Sequence, residues 1–144
     1  MIRHAGLVCR RHGGTWKGVL IEAPSGSGKS DLALRCLDGG FRLVADDRVL
    51  VWAAGRRLYG RAPQVLNGLI EVRGLDVVRV AAVPFCEIVL LARLGNPERI
   101  PDLATETILG VAVPLLAVDP FESSAPAKLG RAITAFDAAH KRRI

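Results

Sequence analysis

Residues 23–30 read Ala23-Pro24-Ser25-Gly26-Ser27-Gly28-Lys29-Ser30, set between an apolar run and the start of a helical pattern. The pattern is that of a phosphate-binding loop, with Ala23 standing where the first glycine is usual. In such a loop successive backbone N–H groups turn inward and form an anion-binding nest at the positive end of a helix. Gly26 and Gly28 allow backbone conformations that a Cβ resists, and Ala23 is tolerable only where no positive φ is needed. Lys29 would reach the outer phosphates, and Ser30 would set its hydroxyl on Mg²⁺. All eight residues are therefore candidate ligand contacts, and the ligand they suit is a nucleoside triphosphate, taken to be ATP.

A metal–phosphate site needs carboxylates opposite the loop. Asp46 and Asp47 close the short apolar run Phe41-Arg42-Leu43-Val44-Ala45, which puts them at the sheet edge where ligands collect. Neighbours in a strand point to opposite sides, so the two acids should have separate tasks. One can orient Mg²⁺ or its water shell, while the other accepts a proton from an attacking hydroxyl. Farther on, Glu71 and Arg73 lie two apart in an extended segment and share its face. A carboxylate and a guanidinium so placed can serve metal and phosphate together, with Gly74 allowing a partner backbone to approach.

The elements that must position these residues are mostly strands. "AGLVC" and "KGVLIEA" read as strands joined through the turn-rich "RRHGGTW". A helix from about Gly28 carries Leu32, Leu34 and Leu37 and stops at Gly39-Gly40. "RVLVWAA" and "RRLYG" form a hairpin around Gly55, and Asn67-Gly68 is a further turn candidate. "LIEVRG", "VVRVAAV" and "CEIVLLARL" are extended, and "NPERIPD" is a loop. A final helix, capped by Ser123 or Ser124 with Pro126 in its first turn, puts Leu129, Ile133 and Phe136 on one face. The fold class expected is α/β, a mixed sheet with few helices rather than a regular alternation.

Bulk properties limit the alternatives. With 144 residues, half of them hydrophobic, the chain is near the usual size of one domain, and 1–144 is read as one. Three cysteines far apart fit neither a zinc spacing nor a disulfide framework, so reduced thiols in a cytoplasmic protein are expected. Charged residues interrupt every apolar run, which argues against a signal peptide or a membrane span. The formal charge of +6 favours anionic partners. Its arginines are scattered without aromatic interleaving, so no nucleic acid is expected, and the basic run at 140–143 reads as a solvated helix end.

The ordered set "APSGSGKSDLAL", "RLVADD" and "GLIEVRGLDVV" resembles the catalytic domain of bacterial HPr kinase/phosphorylase. The phosphate loop is shared by many proteins, whereas "EVRGL" is much more particular to this family. The likeness is good over residues 4 to about 80, and the chain looks like the short form, without a separate N-terminal domain. The resemblance implies a P-loop kinase domain of the phosphoenolpyruvate carboxykinase-like type. It also implies a serine kinase that uses ATP and Mg²⁺ on HPr, a small phosphocarrier of the phosphotransferase system, or on its nitrogen-system relative. By position, Lys29 binds phosphate, Ser30 and Glu71 bind Mg²⁺, and Asp47 accepts the proton with Asp46 beside it. His4 resembles the family histidine that contacts the catalytic acid. The family's relatives admit a homo-oligomer without fixing its number here.

The sequence departs from the family pattern in two places. Asp76 stands where glycine is usual. The arginine- and glycine-rich loop tied to dephosphorylation is replaced by "VAVPLLAVDPFESSAPAKLGRA", where only Lys128 or Arg131 could substitute. That argues against phosphorylase activity and leaves the kinase standing. The rivals are a small-molecule kinase with the same loop and a nucleotide-sensing module without phosphotransfer.

Overall fold

The computed structural model describes residues 1–136, so the basic run at 140–143 lies outside the described residues. Among the described residues eleven strands and two α-helices follow in the order β1 (Ile2–His4), β2 (Gly6–His12), β3 (Thr15–Glu22), α1 (Lys29–Asp38), β4 (Arg42–Ala45), β5 (Arg48–Ala54), β6 (Arg57–Arg61), β7 (Leu69–Val72), β8 (Asp76–Arg79), β9 (Cys86–Leu94), β10 (Ala104–Ile108), β11 (Val111–Val118) and α2 (Ala125–Ala135), with a short 3-10 helix at Gln64–Leu66. The mixed α/β class with few helices is what the sequence suggested.

The main sheet runs β1-β5-β6-β9-β3-β2-β4, with β11 paired to β9 and β10 to β11. Its path ends are continuous with strands inside it. β1 passes into β2 through Ala5, and β4 passes into β5 through Asp46-Asp47. The two bent strands pair antiparallel along their length, with Ile2 opposite Leu50, His4 opposite Arg48 and Leu7 opposite Ala45. The sheet therefore curls into a barrel-like closure. Among the described strands β3 with β9 and β9 with β11 pair in parallel, and an isolated parallel bridge joins Leu43 to Ala82.

Strand alternation divides the buried residues into two cores. Leu7, Cys9, Leu20, Val49, Leu58, Ile88 and Leu91 fill the inside of the curl. Their neighbours Val8, Val19, Ile21, Leu90 and Ala92 face outward against α1 and α2. The interior is tight at Gly60, where an added Cβ would come within 2.7 Å of Leu7 Cδ2 and 2.9 Å of Val49 Cγ1.

α1 buries Leu32, Ala33 and Cys36, while Leu34 and Leu37 are half-buried. Leu129, Ile133 and Phe136 are all buried, as their spacing predicts. Ser124 sits at the N-cap of α2, yet its side chain makes no capping bond. The segment "VVRVAAV" is extended only through Arg79 within β8, which pairs with β7 as a separate two-stranded sheet. The hairpin β10–β11, turning at Leu109-Gly110, is an addition to the elements read from sequence.

Candidate active site

β3 delivers the chain to the loop, and α1 leaves it at Lys29. Gly26 (φ 78°) and Gly28 (φ 98°) are left-handed on either side of Ser27, the alternation that builds an anion nest. Gly28 is the N-cap of α1, and its carbonyl accepts the N–H of Leu32 at 2.9 Å. Ala23 is not among the residues with positive φ, so alanine fits there. Its carbonyl accepts a hydrogen bond from Lys29 Nζ at 3.0 Å, which folds the ammonium back across the loop.

Among the described residues the buried charged side chains are Lys29 and Asp46, each 8% exposed. Burying a charge is costly unless it is paired or hydrogen-bonded. Asp46 meets that demand with both oxygens. Its Oδ1 accepts from Ser30 Oγ at 2.8 Å, and its Oδ2 accepts from the Glu71 N–H at 3.0 Å. Asp46 thereby fixes the start of α1 to β7.

Asp46 and Asp47 do go to different environments, but strand alternation is not the cause, which corrects the sequence argument. Both lie in the bend between β4 and β5, outside either strand. The Arg48 N–H donates to the Asp46 carbonyl at 2.9 Å, and Asp47 takes the left-handed conformation (φ 73°). Aspartate is one of the few side chains that tolerate this. The Asp47 carbonyl accepts the Ala5 N–H at 3.0 Å, and its side chain is exposed.

The loop and corner bound a cleft of about 170 Å³. Ser25, Gly26, Gly28, Lys29 and Ser30 line it from the loop, with Asp47, Glu71 and Arg73 beside them. Arg73 lies just past the end of β7, in the turn to β8, yet still shares the cleft with Glu71. Ala23, Pro24 and Ser27 do not line it, and Asp46 stands behind it. His4 is exposed on β1 opposite Arg48, one residue from the corner bond at Ala5, and does not line the cleft either. Asp31 lines the cleft and was missed in the sequence. It is the residue after the loop pattern, in the first turn of α1, and it pairs with Arg35 at 3.1 Å.

The cleft donors are hydroxyl and carboxylate oxygens, the hard ligands that suit Mg²⁺. Among the described residues no cluster of three or more His, Cys, Asp or Glu could hold a metal alone. Mg²⁺ is commonly held by one or two carboxylates together with substrate phosphates, and Ser30 with Glu71 would complete such a set.

The family model for the HPr Serine kinase C-terminal domain matches residues 14–89, more than half of the chain and all of the cleft. The chain belongs to that family. An HPr kinase/phosphorylase from Limosilactobacillus reuteri is 40% identical over 129 residues, covering 79% of this chain and 38% of that protein. Its counterpart from Mycoplasmopsis pulmonis is 39% identical over 89 residues, covering 57% of this chain and 29% of that protein. The chain thus spans well under half the length of these relatives. The solved structure of the Hpr(Ser) kinase/phosphatase from Coxiella burnetii matches with a TM-score of 0.77 at 28% identity, over 93% of this chain and 94% of that one. A match over 93% of the chain carries the HPr kinase fold past residue 89. Among the described residues no helix is long and apolar enough to cross a membrane.

Proposed function

We propose that the cleft transfers the γ-phosphoryl group of ATP to a serine hydroxyl of an HPr-like phosphocarrier protein, as one catalytic domain over 1–144. The observation that carries this reading is the exposed Asp47 carboxylate sharing one small cleft with a phosphate loop, Glu71 and Arg73. The serine oxygen forms a bond to the γ-phosphorus, the bond from that phosphorus to the β–γ bridging oxygen breaks, and ADP leaves. The serine proton passes to Asp47, which acts as general base. Loop N–H groups and Lys29 hold the phosphates, with the Lys29 ammonium turning from the Ala23 carbonyl toward them. Mg²⁺, held by Ser30 and Glu71, would supply neutralisation of phosphate charge. Asp46 positions both of these residues through the bonds described above. Arg73 offers a guanidinium to the transferred group, and His4 stands near the corner to orient Asp47. Positioning and charge stabilisation supply most of the rate in such reactions.

The names of the relatives, kinase/phosphorylase and kinase/phosphatase, support a serine kinase and leave open the direction of the reaction. Phosphorolysis must bring inorganic phosphate beside an already anionic site, which needs cations to offset it. Lys128 is paired with Glu122 at 2.8 Å, and it lines a separate cleft with Arg131 between β11 and α2. Neither supplies that offset, so the domain works as a kinase without efficient phosphorolysis. Three buried cysteines, none in a disulfide although Cys9 and Cys86 lie in hydrogen-bond contact, accord with a reducing cytoplasmic setting.

The test is incubation with labelled ATP, Mg²⁺ and purified HPr-like proteins, followed by incubation of the phosphorylated partner with inorganic phosphate and no nucleotide. Label on a serine of one partner is expected, with little pyrophosphate released in the second step. ATP binding without transfer to any of these proteins would sink the reading, and turnover with metabolites alone would favour a small-molecule kinase.

A further inference from the structure

A second cleft, of about 340 Å³, adjoins the phosphate loop and shares no lining residue with the cleft that holds Asp47. Ser27 of the loop lines it, together with Leu94 and Asn96 after β9 and Pro120 and Phe121 after β11. β3, β9 and β11 are the mutually parallel strands, so the loops following all three gather at one sheet edge. Ligands of open α/β sheets bind at that edge, outside the carboxyl ends of the strands. We propose that this second cleft is the nucleobase subsite for the nucleoside triphosphate, with the Phe121 ring as its stacking platform. The proposal rests on the reading of residues 23–30 as a phosphate loop.

The direction of the triphosphate follows from the chemistry of the two clefts. The reacting end must face Asp47, Glu71 and Arg73, so the nucleoside end must leave on the other side of the loop. That side carries an aromatic ring, a proline, a leucine and the Asn96 amide, which can both donate to and accept from a base edge. The Asp119 carboxylate there is already engaged, since its Oδ1 accepts the Phe121 N–H at 2.9 Å.

The turn that carries Phe121 is fastened in place, which sets the ring apart from a stray surface residue. Its side chain is among the large hydrophobics left outside the core, at 82% exposure. Yet its turn is fixed from several directions. Arg35 of α1 donates to the carbonyls of Pro120 and Glu122, and the Gly95 N–H donates to Val118 at 2.9 Å. The turn abuts the loop, because a Cβ at Gly28 would lie 3.5 Å from Pro120 Cβ and 3.9 Å from Phe121 Cε1. A fixed backbone beneath an exposed ring limits the freedom lost when a base stacks on it.

Calorimetric titration with Mg-ATP and with Mg-tripolyphosphate separates the two ends of the ligand. Wild type should bind ATP more tightly than tripolyphosphate. Phe121→Ala should weaken ATP about tenfold and leave tripolyphosphate within about twofold, given the usual contribution of base–aromatic stacking. Phe121→Trp should restore ATP binding. Equal loss for both ligands, or no loss for either, would overturn the subsite while leaving the phosphate loop intact. Wild type that binds tripolyphosphate as tightly as ATP would do the same. Wild type that binds neither ligand would overturn the phosphate-loop reading, and the subsite with it.

Discussion

At Asp47, backbone and side chain make separate demands. The left-handed φ of 73° turns β4 into β5, and the carboxylate is left exposed at the cleft. Asparagine keeps the conformation, because it too tolerates the left-handed region, but it cannot accept the proton. Asp47→Asn should therefore melt within a degree or so of wild type while its phosphoryl transfer falls by roughly 10²–10⁴, the usual worth of a general base. A large drop in melting temperature would show instead that Asp47 matters mainly to the corner. At this scale the sequence was most legible where residue type dictates geometry. Gly26, Gly28, Lys29 and Ser30 could be placed because glycine and helix-start chemistry are local. The role of Asp46 was not legible, because nothing local says that a carboxylate will be buried across from a strand 25 residues away.

Elements defined by near neighbours were also readable, as in the hairpins around Gly13-Gly14 and Gly55 and the helix after the loop. β10 and β11 were not. Ala104–Ile108 is mostly exposed, and β11 carries Pro114, which counts against a strand because it has no N–H to donate. What holds the pair in the sheet is parallel pairing of Leu115–Val118 with β9, a long-range contact beyond the proline. The same elements carry an ion-pair network over the open end of the curl. Arg3, Glu22, Arg93 and Glu106 each lie two residues along the chain from an interior residue: Ala5, Leu20, Leu91 and Ile108. Arg3 Nε reaches Glu22 at 2.6 Å, Arg3 Nη2 reaches Glu106 at 3.1 Å, and Arg93 reaches Glu106 at 2.8 Å. The Arg93 hydrogen bond, with help from Arg3 and against partial desolvation, holds the Glu106 carboxyl below its ordinary range. A depressed carboxyl stabilises the fold above its unfolded pKa of about 4.3, and that share is lost as pH falls through the lower folded value. Glu106→Gln should thus lower the melting temperature near pH 7, with the difference from wild type shrinking toward pH 3. A constant difference across that range, followed by thermal melts, would count against the network.

At the scale of the whole molecule, the class of the fold was legible from the balance of strand and helix patterns, but the closure of the sheet was not. It depends on β1 pairing with β5 and β2 with β4, whose registers join residues up to 48 positions apart. Periodicity along the chain cannot report such pairings. The closure has a consequence for the order in which the site comes apart. The phosphate loop is bounded by a hairpin strand and the helix that follows it, which are local structures quick to form. The acidic corner is fastened to β1, a strand of three residues whose Ile2 is 60% exposed. Apart from the Arg3 ion pairs and the buried Ala5, little holds this strand, so β1 should open at a lower free energy than the molecule as a whole. Native-state hydrogen exchange reads this directly: the Ala5 amide should lose protection well before the Leu32 amide of α1, and equal protection would refute it. In mild denaturant the protein would then keep its grip on nucleotide after losing the means to use it, so that binding and turnover fail at different points.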